Sequence, residues 1–189
     1  MSLHTVVSLL ARLLGVLALL GLPLAAAAAP PLATVPALDL DRYAGRWYEV
    51  AKLPNWFQRK CERDTTATYA RRPDGQIEVI NRCAQADGTV DEISGVARVP
   101  DAAAPAKLEV SFVPGWLRWT GIGWGRYWVI ALADDYRYAV IGEPSREYLW
   151  VLARTPTLSD ADRAAVDAAL VAAGYAPSQL VPSPHTATR

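Results

Sequence analysis

The sequence predicts an all-β fold: an eight-stranded up-and-down antiparallel barrel with a C-terminal α-helix packed outside. Three observations predict it. Eight β-prone runs follow one another through mostly short connections rich in turn residues. Trp47 opens the first run and Arg154 closes the last, and a guanidinium laid on an indole face is worth about 0.5–2 kcal/mol. If those two meet, the first and last strands are neighbours and the sheet closes. An amphipathic, Ala-rich stretch then follows the last strand. A β-sandwich with the same strand count is the alternative, and alternation by itself does not separate the two.

The elements follow in order. Leu13 to Leu24 is almost wholly apolar, with Arg12 before it and Ala25 to Ala29 after it. This reads as a secretory signal over residues 1–29, with an uncleaved N-terminal anchor as the alternative. Residues 30–189 then form one domain, with the barrel over about 44–155 and the helix over about 159–173. Trp47 to Leu53 is the first strand. Asp64 to Arg71 alternates, and Arg72-Pro73-Asp74-Gly75 makes a turn before Ile77 to Cys83. Asp87-Gly88 turns the chain into Val90 to Val99. Lys107 to Phe112, Tyr127 to Ala133, Tyr138 to Gly142 and Tyr148 to Arg154 complete the set. Ser159 is an N-cap candidate, with Asp160 and Asp162 in the first turn, where the helix dipole favours acids. Val166, Leu170 and Ala173 share one face, and Gly174 ends the helix.

Composition narrows the function. Lys and Arg number 19 against 19 Asp and Glu, with no basic stripe, so nucleic acid is a poor partner. The chain has 2 His, His4 in the signal and His185 near the end. The body between them therefore lacks the usual general base and the commonest zinc ligand. A catalytic centre built on His185 would need the Pro-rich tail to fold back. No catalytic, metal or cofactor site is expected. Cys61 and Cys83 are an even pair in an exported chain, which favours a disulfide.

Three ordered motifs carry a family resemblance. They are Gly45-Arg46-Trp47-Tyr48-Glu49-Val50-Ala51, then Asp134-Asp135-Tyr136 with the strand after it, then Tyr148-Leu149-Trp150-Val151-Leu152-Ala153-Arg154. Thr66-Ala67-Thr68-Tyr69 and Val79-Ile80-Asn81 add two matching strands. Together they resemble the lipocalins, and most closely the bacterial outer-membrane group, over roughly Leu40 to Val181. The turn departs at Ala133, where the family has Thr. The resemblance implies a barrel closed at one end by Gly45, Trp47 and Arg154. It also implies non-catalytic binding of a lipid or other small hydrophobic molecule, such as a fatty acid or lysophospholipid. The best-known bacterial members carry a lipidated N-terminal Cys, which this sequence lacks. A periplasmic or secreted protein, associated with the outer membrane by some other route if at all, is expected.

With Trp47 inward, alternation and the resemblance together assign the cavity wall. Glu49 and Ala51 face in on the first strand, Ala67 and Tyr69 on the second, Val79 and Asn81 on the third, and Ile93 on the fourth. Val110 and Phe112 follow, then Trp128 and Ile130, Ile141, and Tyr148 and Trp150. A core filled without a cavity is the alternative, against which the small inward residues argue. Glu49 would hydrogen-bond a ligand head group or be satisfied by Asn81, Tyr69 or water. The same parity sets the Cys61–Cys83 disulfide near the mouth, with Ala67 beside Ile77 and Tyr69 beside Gly75; a catalytic barrel thiol is the alternative. The loop from Pro114 to Gly125 holds Trp116, Trp119 and Trp124. It is read as a lid, as packing on the barrel or a second copy in a homodimer, or as a membrane-surface contact. An enzyme acting on a bound lipophile, or an envelope interaction protein using this loop, are the competing functions.

Overall fold

In a computed structural model, which describes residues 30–186, the sheet closes on itself. The signal assignment over 1–29 lies outside the described residues. The strands are β1 (Gly45–Lys52), β2 (Arg63–Arg71), β3 (Ile77–Ala84), β4 (Val90–Arg98), β5 (Lys107–Ser111), β6 (Trp124–Leu132), β7 (Tyr138–Gly142) and β8 (Leu149–Ala153). Each pairs antiparallel with the next, and β1 pairs with both β2 and β8, which makes the ring. The barrel, and not the sandwich, is therefore the fold. A short β9 (Val181–Pro182) adds to β1 outside the ring order.

One end is sealed by the residues expected to seal it. Asp39 caps α1 (Leu40–Tyr43), a single turn that delivers Tyr43 under the barrel. Trp47 is fully buried above it, and its indole donates to Tyr43 O at 2.8 Å. The Arg154 guanidinium lies 3.9 Å from the Trp47 ring centroid. It donates to the carbonyls of Arg46, Arg42 and Ala44 at 2.9, 2.7 and 3.0 Å. Gly45 has φ +95°, and a Cβ there would stand 3.4 Å from Arg154 Nη1, so the sealed end needs glycine at this position.

The β2–β3 register corrects the sequence reading. Ala67 pairs with Asn81 and Tyr69 with Val79, not with Ile77 and Gly75. The cause is the turn. Arg72 N donates to Gln76 O at 2.9 Å, which leaves Pro73-Asp74-Gly75 as a three-residue loop centred on Asp74. Gly75 takes the left-handed conformation at φ +80°. The slip is an even number of residues, so every side chain keeps its face.

Two cores result. The inner one holds Trp47, Ala67, Tyr69, Val79, Val129, Ile141 and Leu152. The outer one joins Val140, Leu149 and Val151 to Val166 and Leu170 of α3 (Asp160–Ala172). Ser159 caps α3 as expected, its Oγ accepting from Asp162 N at 3.1 Å. The helix ends with Tyr175 N donating to Leu170 O and Gly174 N to Val171 O. Gly174 sits at φ +80°, and Tyr175 packs in the same cluster as Leu170.

The outer core explains three misplaced residues. Trp128 and Ile130 face the helix side, while Tyr127 and Val129 face in. Strand β6 is apolar on both faces because α3 covers its back, so hydrophobicity could not fix its parity. Ala51 also faces out. A register shift between Glu49 and Ala51 breaks the alternation of β1 and turns Ala51 into the outer core.

The tail is more ordered than a tail. After a 3₁₀ turn (Pro177–Gln179) the chain runs back along β1, where β1 and β2 have parted beyond the Tyr48–Thr66 pair. Ser183 N donates to Val50 O at 3.1 Å and Asp64 N donates to Pro184 O at 2.9 Å. The segment thus fills the wedge between the two strands.

Candidate functional site

Antiparallel order puts the β1–β2, β3–β4, β5–β6 and β7–β8 connections at the end opposite Trp47. A cavity of about 790 Å³ opens there. That lies within the range of roughly 300–1,000 Å³ usual for small-molecule sites. Its wall is built largely from inward positions of the strands. Ala67 and Tyr69 come from β2, Val79 and Asn81 from β3, and Ile93 from β4. Val110 of β5, Phe112 just beyond it, Trp150 of β8 and Tyr148 just before it complete the expected set, with Glu49 from β1. Ala51, Trp128 and Ile130 are absent from the wall for the reasons given above. Ile141 faces in, but it belongs to the packed inner core and not to the wall.

Several wall residues were not foreseen. Tyr127 lies on β6, where the opposite parity finds it, and Leu152 continues the parity already assigned to Tyr148 and Trp150 on β8. Trp56, Phe57, Gln58 and Lys60 come from the β1–β2 loop, where no periodicity exists to read. Phe57 meets Tyr148 and Trp150 at ring separations of 5.6 and 6.3 Å, so these three rings form one aromatic wall. Gln58 fixes its geometry: Trp150 Nε1 donates to Gln58 Oε1 at 3.0 Å.

Glu49 is buried, and the structure supplies its partners. Lys52 Nζ and Ser183 Oγ donate to Oε1 at 2.8 and 2.6 Å, and Gln58 Nε2 donates to Oε2 at 2.8 Å. Asn81 and Tyr69, the protein partners expected from sequence, are not among them. The bulge in β1 is what lets Lys52 reach back to Glu49. The carboxylate is therefore held in place from three sides.

Asn81 stands differently. Its Oδ1 is buried and has no hydrogen-bond partner among the described residues. It is an acceptor on a wall that is largely, though not wholly, apolar. Below it, Tyr127 Oη lies 2.6 Å from Tyr43 Oη and 2.8 Å from Tyr69 Oη. Burial pushes all three phenols up, which keeps them neutral as a hydroxyl chain on the cavity floor.

The cysteines form the expected disulfide, with Cα atoms 5.4 Å apart, and both line the cavity near its mouth. The bond ties the β1–β2 loop to β3. His185 does fold back. Its side chain is 5% exposed, and Nε2 lies 2.8 Å from the Glu49 carbonyl oxygen. The ring packs edge-on to Tyr48, outside the cavity wall.

The β5–β6 connection contains a single turn, α2 (Gly115–Arg118). Trp116 and Trp119 stand 74% and 82% exposed. They neither close the mouth as a lid nor pack on the barrel. Trp124 is folded back instead, with Arg98 3.9 Å over its ring.

A ring of eight antiparallel strands, plugged at one end and hollow at the other, defines the class of small hollow barrels with a single interior site. Within that class the sequence matches the lipocalin-like domain over residues 38–185, and the chain belongs to the lipocalin family. It is 40% identical over 156 residues to temperature-induced lipocalin-1 of Arabidopsis thaliana, across 82% of this chain and 83% of that protein. It is 43% identical over 123 residues to the outer membrane lipoprotein Blc of Escherichia coli (strain K12), across 65% of each. Insecticyanin of the tobacco hornworm Manduca sexta shares the fold, with a TM-score of 0.66 at 22% identity over 84% of this chain and 86% of that one.

Proposed function

We propose that this chain binds a small hydrophobic molecule in the barrel without transforming it, as a carrier or store of lipid in the cell envelope. The observation that carries this is the cavity itself: an apolar chamber of about 790 Å³ with one open end. Its few polar groups support a binding role over a catalytic one. Glu49 is held by three donors, both cysteines are in the disulfide, and His185 faces away from the chamber. The signal-like leader and the likeness to an outer membrane lipoprotein support an exported, periplasmic or secreted location.

Of the two ligands the sequence suggested, lysophospholipid fits the wall better than fatty acid. Asn81 Oδ1 needs a donor, and a lysophospholipid brings a free hydroxyl where an ionised fatty acid brings none. The test is native mass spectrometry of the protein from its own host, followed by displacement titration with both lipids. Ala67→Phe would fill the chamber from β2; retained fold with lost binding of both lipids is expected. Equal lipid binding by that variant would sink the reading. Asn81→Leu is expected to weaken lysophospholipid about tenfold and leave fatty acid unchanged.

A further inference from the structure

Large exposed apolar residues are concentrated at one end of this molecule. Trp56, Phe57, Trp116, Trp119 and Ile122 are 68%, 44%, 74%, 82% and 61% exposed. All five belong to the β1–β2 and β5–β6 connections, which lie opposite each other in the ring at the cavity mouth. A rim of this kind on a soluble barrel marks an interaction surface.

Charge says what the surface meets. The same two connections carry Arg59, Lys60 and Arg118 against one acid, Glu62. Lys60 is paired with Asp91 at 3.1 Å, while Arg59 and Arg118 make no ion pair among the described residues. Of the acids in the other two connections at this end, Asp87 is bonded to Thr89 and Glu143 accepts from the backbone of its own turn, while Glu147 is exposed on the β7–β8 connection, away from the two that carry the indoles. Indoles beside unpaired arginines suit the headgroup region of a lipid bilayer that carries negative charge.

Continuity with the chamber is the second argument. Trp56 and Phe57 belong both to the exposed rim and to the cavity wall. An acyl chain leaving a bilayer beneath this rim would reach the aromatic wall of Phe57, Tyr148 and Trp150 without crossing water.

We infer that the open end docks on an anionic lipid surface through Trp116, Trp119 and Ile122 on one side and Trp56 and Phe57 on the other, with Arg59 and Arg118 contacting the headgroups. This docking rests on the lipid-binding reading only for its purpose, and it is tested separately. Co-flotation would use vesicles of phosphatidylcholine with and without phosphatidylglycerol. Binding to the anionic vesicles is expected, weaker binding to the neutral ones, and a decline with added salt. Trp116→Ala with Trp119→Ala should lower partitioning about tenfold or more. Neither residue touches the chamber, so the double variant should bind dispersed lysophospholipid as the parent does. Arg59→Gln with Arg118→Gln should remove the preference for anionic vesicles while sparing neutral ones.

Absence of parent binding to both vesicle types overturns the docking, whatever the chamber binds. So does equal flotation of the Trp double variant. Sedimentation showing a dimer that dissociates in the Trp double variant assigns the rim to a second copy and equally overturns it. Vesicle binding with an empty chamber would leave the docking standing and sink the lipid-carrier reading instead.

Discussion

Ser183 donates a 2.6 Å hydrogen bond to Glu49 Oε1 from 134 positions away in sequence. A segment near the end of the described residues therefore helps hold the one carboxylate buried in the first strand. Lys52 and Gln58 complete the set, and Gln58 passes the constraint on to Trp150 through its Oε1. The polar corner of the chamber is thus a network with members from β1, the β1–β2 loop, β8 and the tail.

Removing the charge at its centre should be costly to the fold. Glu49→Gln leaves the Lys52 ammonium, 11% exposed, without its carboxylate. Breaking a buried pair from one side costs about 3–5 kcal/mol, whereas replacing both members by apolar groups is often near neutral. Urea denaturation should therefore show a large loss for Glu49→Gln and recovery of much of it in Glu49→Gln with Lys52→Met. Equal stability of parent and single variant would mean that the pair is solvated in solution.

The tail should behave as a stave between β1 and β2. Asp64 N donates to Pro184 O, and Thr186 N and Oγ1 donate to Asp64 Oδ1 at 2.7 and 2.9 Å. Burial pushes the Asp64 carboxyl up, but the two Thr186 bonds outweigh it and hold the group below the usual carboxylate range, with nearby His185 and Arg63 adding to the lowering. A chain ended after Leu180 loses all of them. Hydrogen exchange at the Asp64 amide should speed up in that variant, while the Trp47 amide, at the sealed end, keeps its protection. Unchanged exchange at Asp64 would show that the tail rests on the barrel without closing it.

Reducing the Cys61–Cys83 bond should destabilise without unmaking the barrel. The bridge spans a sequence separation of 22, for which loop-closure entropy predicts about 3 kcal/mol. Denaturation with and without reductant measures this directly. Because the bond anchors the loop that carries Trp56 and Phe57, ligand release should also become faster on reduction.

The ring closure was legible because it depends on residues with few substitutes: a Trp, an Arg and a glycine at positive φ. Wall positions were legible on β2, β3 and β5, where one face is apolar and the other is not. On β6 both faces are apolar, one toward the chamber and one toward α3, so alternation carries no information there and does not distinguish Tyr127 from Trp128 as the wall residue. Glu49 was legible as a buried acid, but its partners were not. Lys52 arrives through a bulge, Gln58 from a loop without periodicity, and Ser183 from a segment whose composition reads as a tail.

The phenol chain Tyr43–Tyr127–Tyr69 should set the alkaline limit of the fold. Burial raises all three above the ordinary value of about 10 that they regain on unfolding. The unfolded chain therefore gives up these protons first as pH rises. Their contribution is fully present below about pH 10 and is lost as pH climbs from there through the folded-state values. The loss approaches about 1.4 kcal/mol per pH unit for each phenol once the unfolded state is ionised. Urea midpoints measured from about pH 8 to pH 11 should thus fall steeply at the top of the range. Tyr127→Phe removes the shared partner of the other two, costing about 1–3 kcal/mol at neutral pH. It also removes one titrating group, so its alkaline decline should be shallower than the parent's. Parallel declines in the two proteins would place the alkaline sensitivity elsewhere in the molecule.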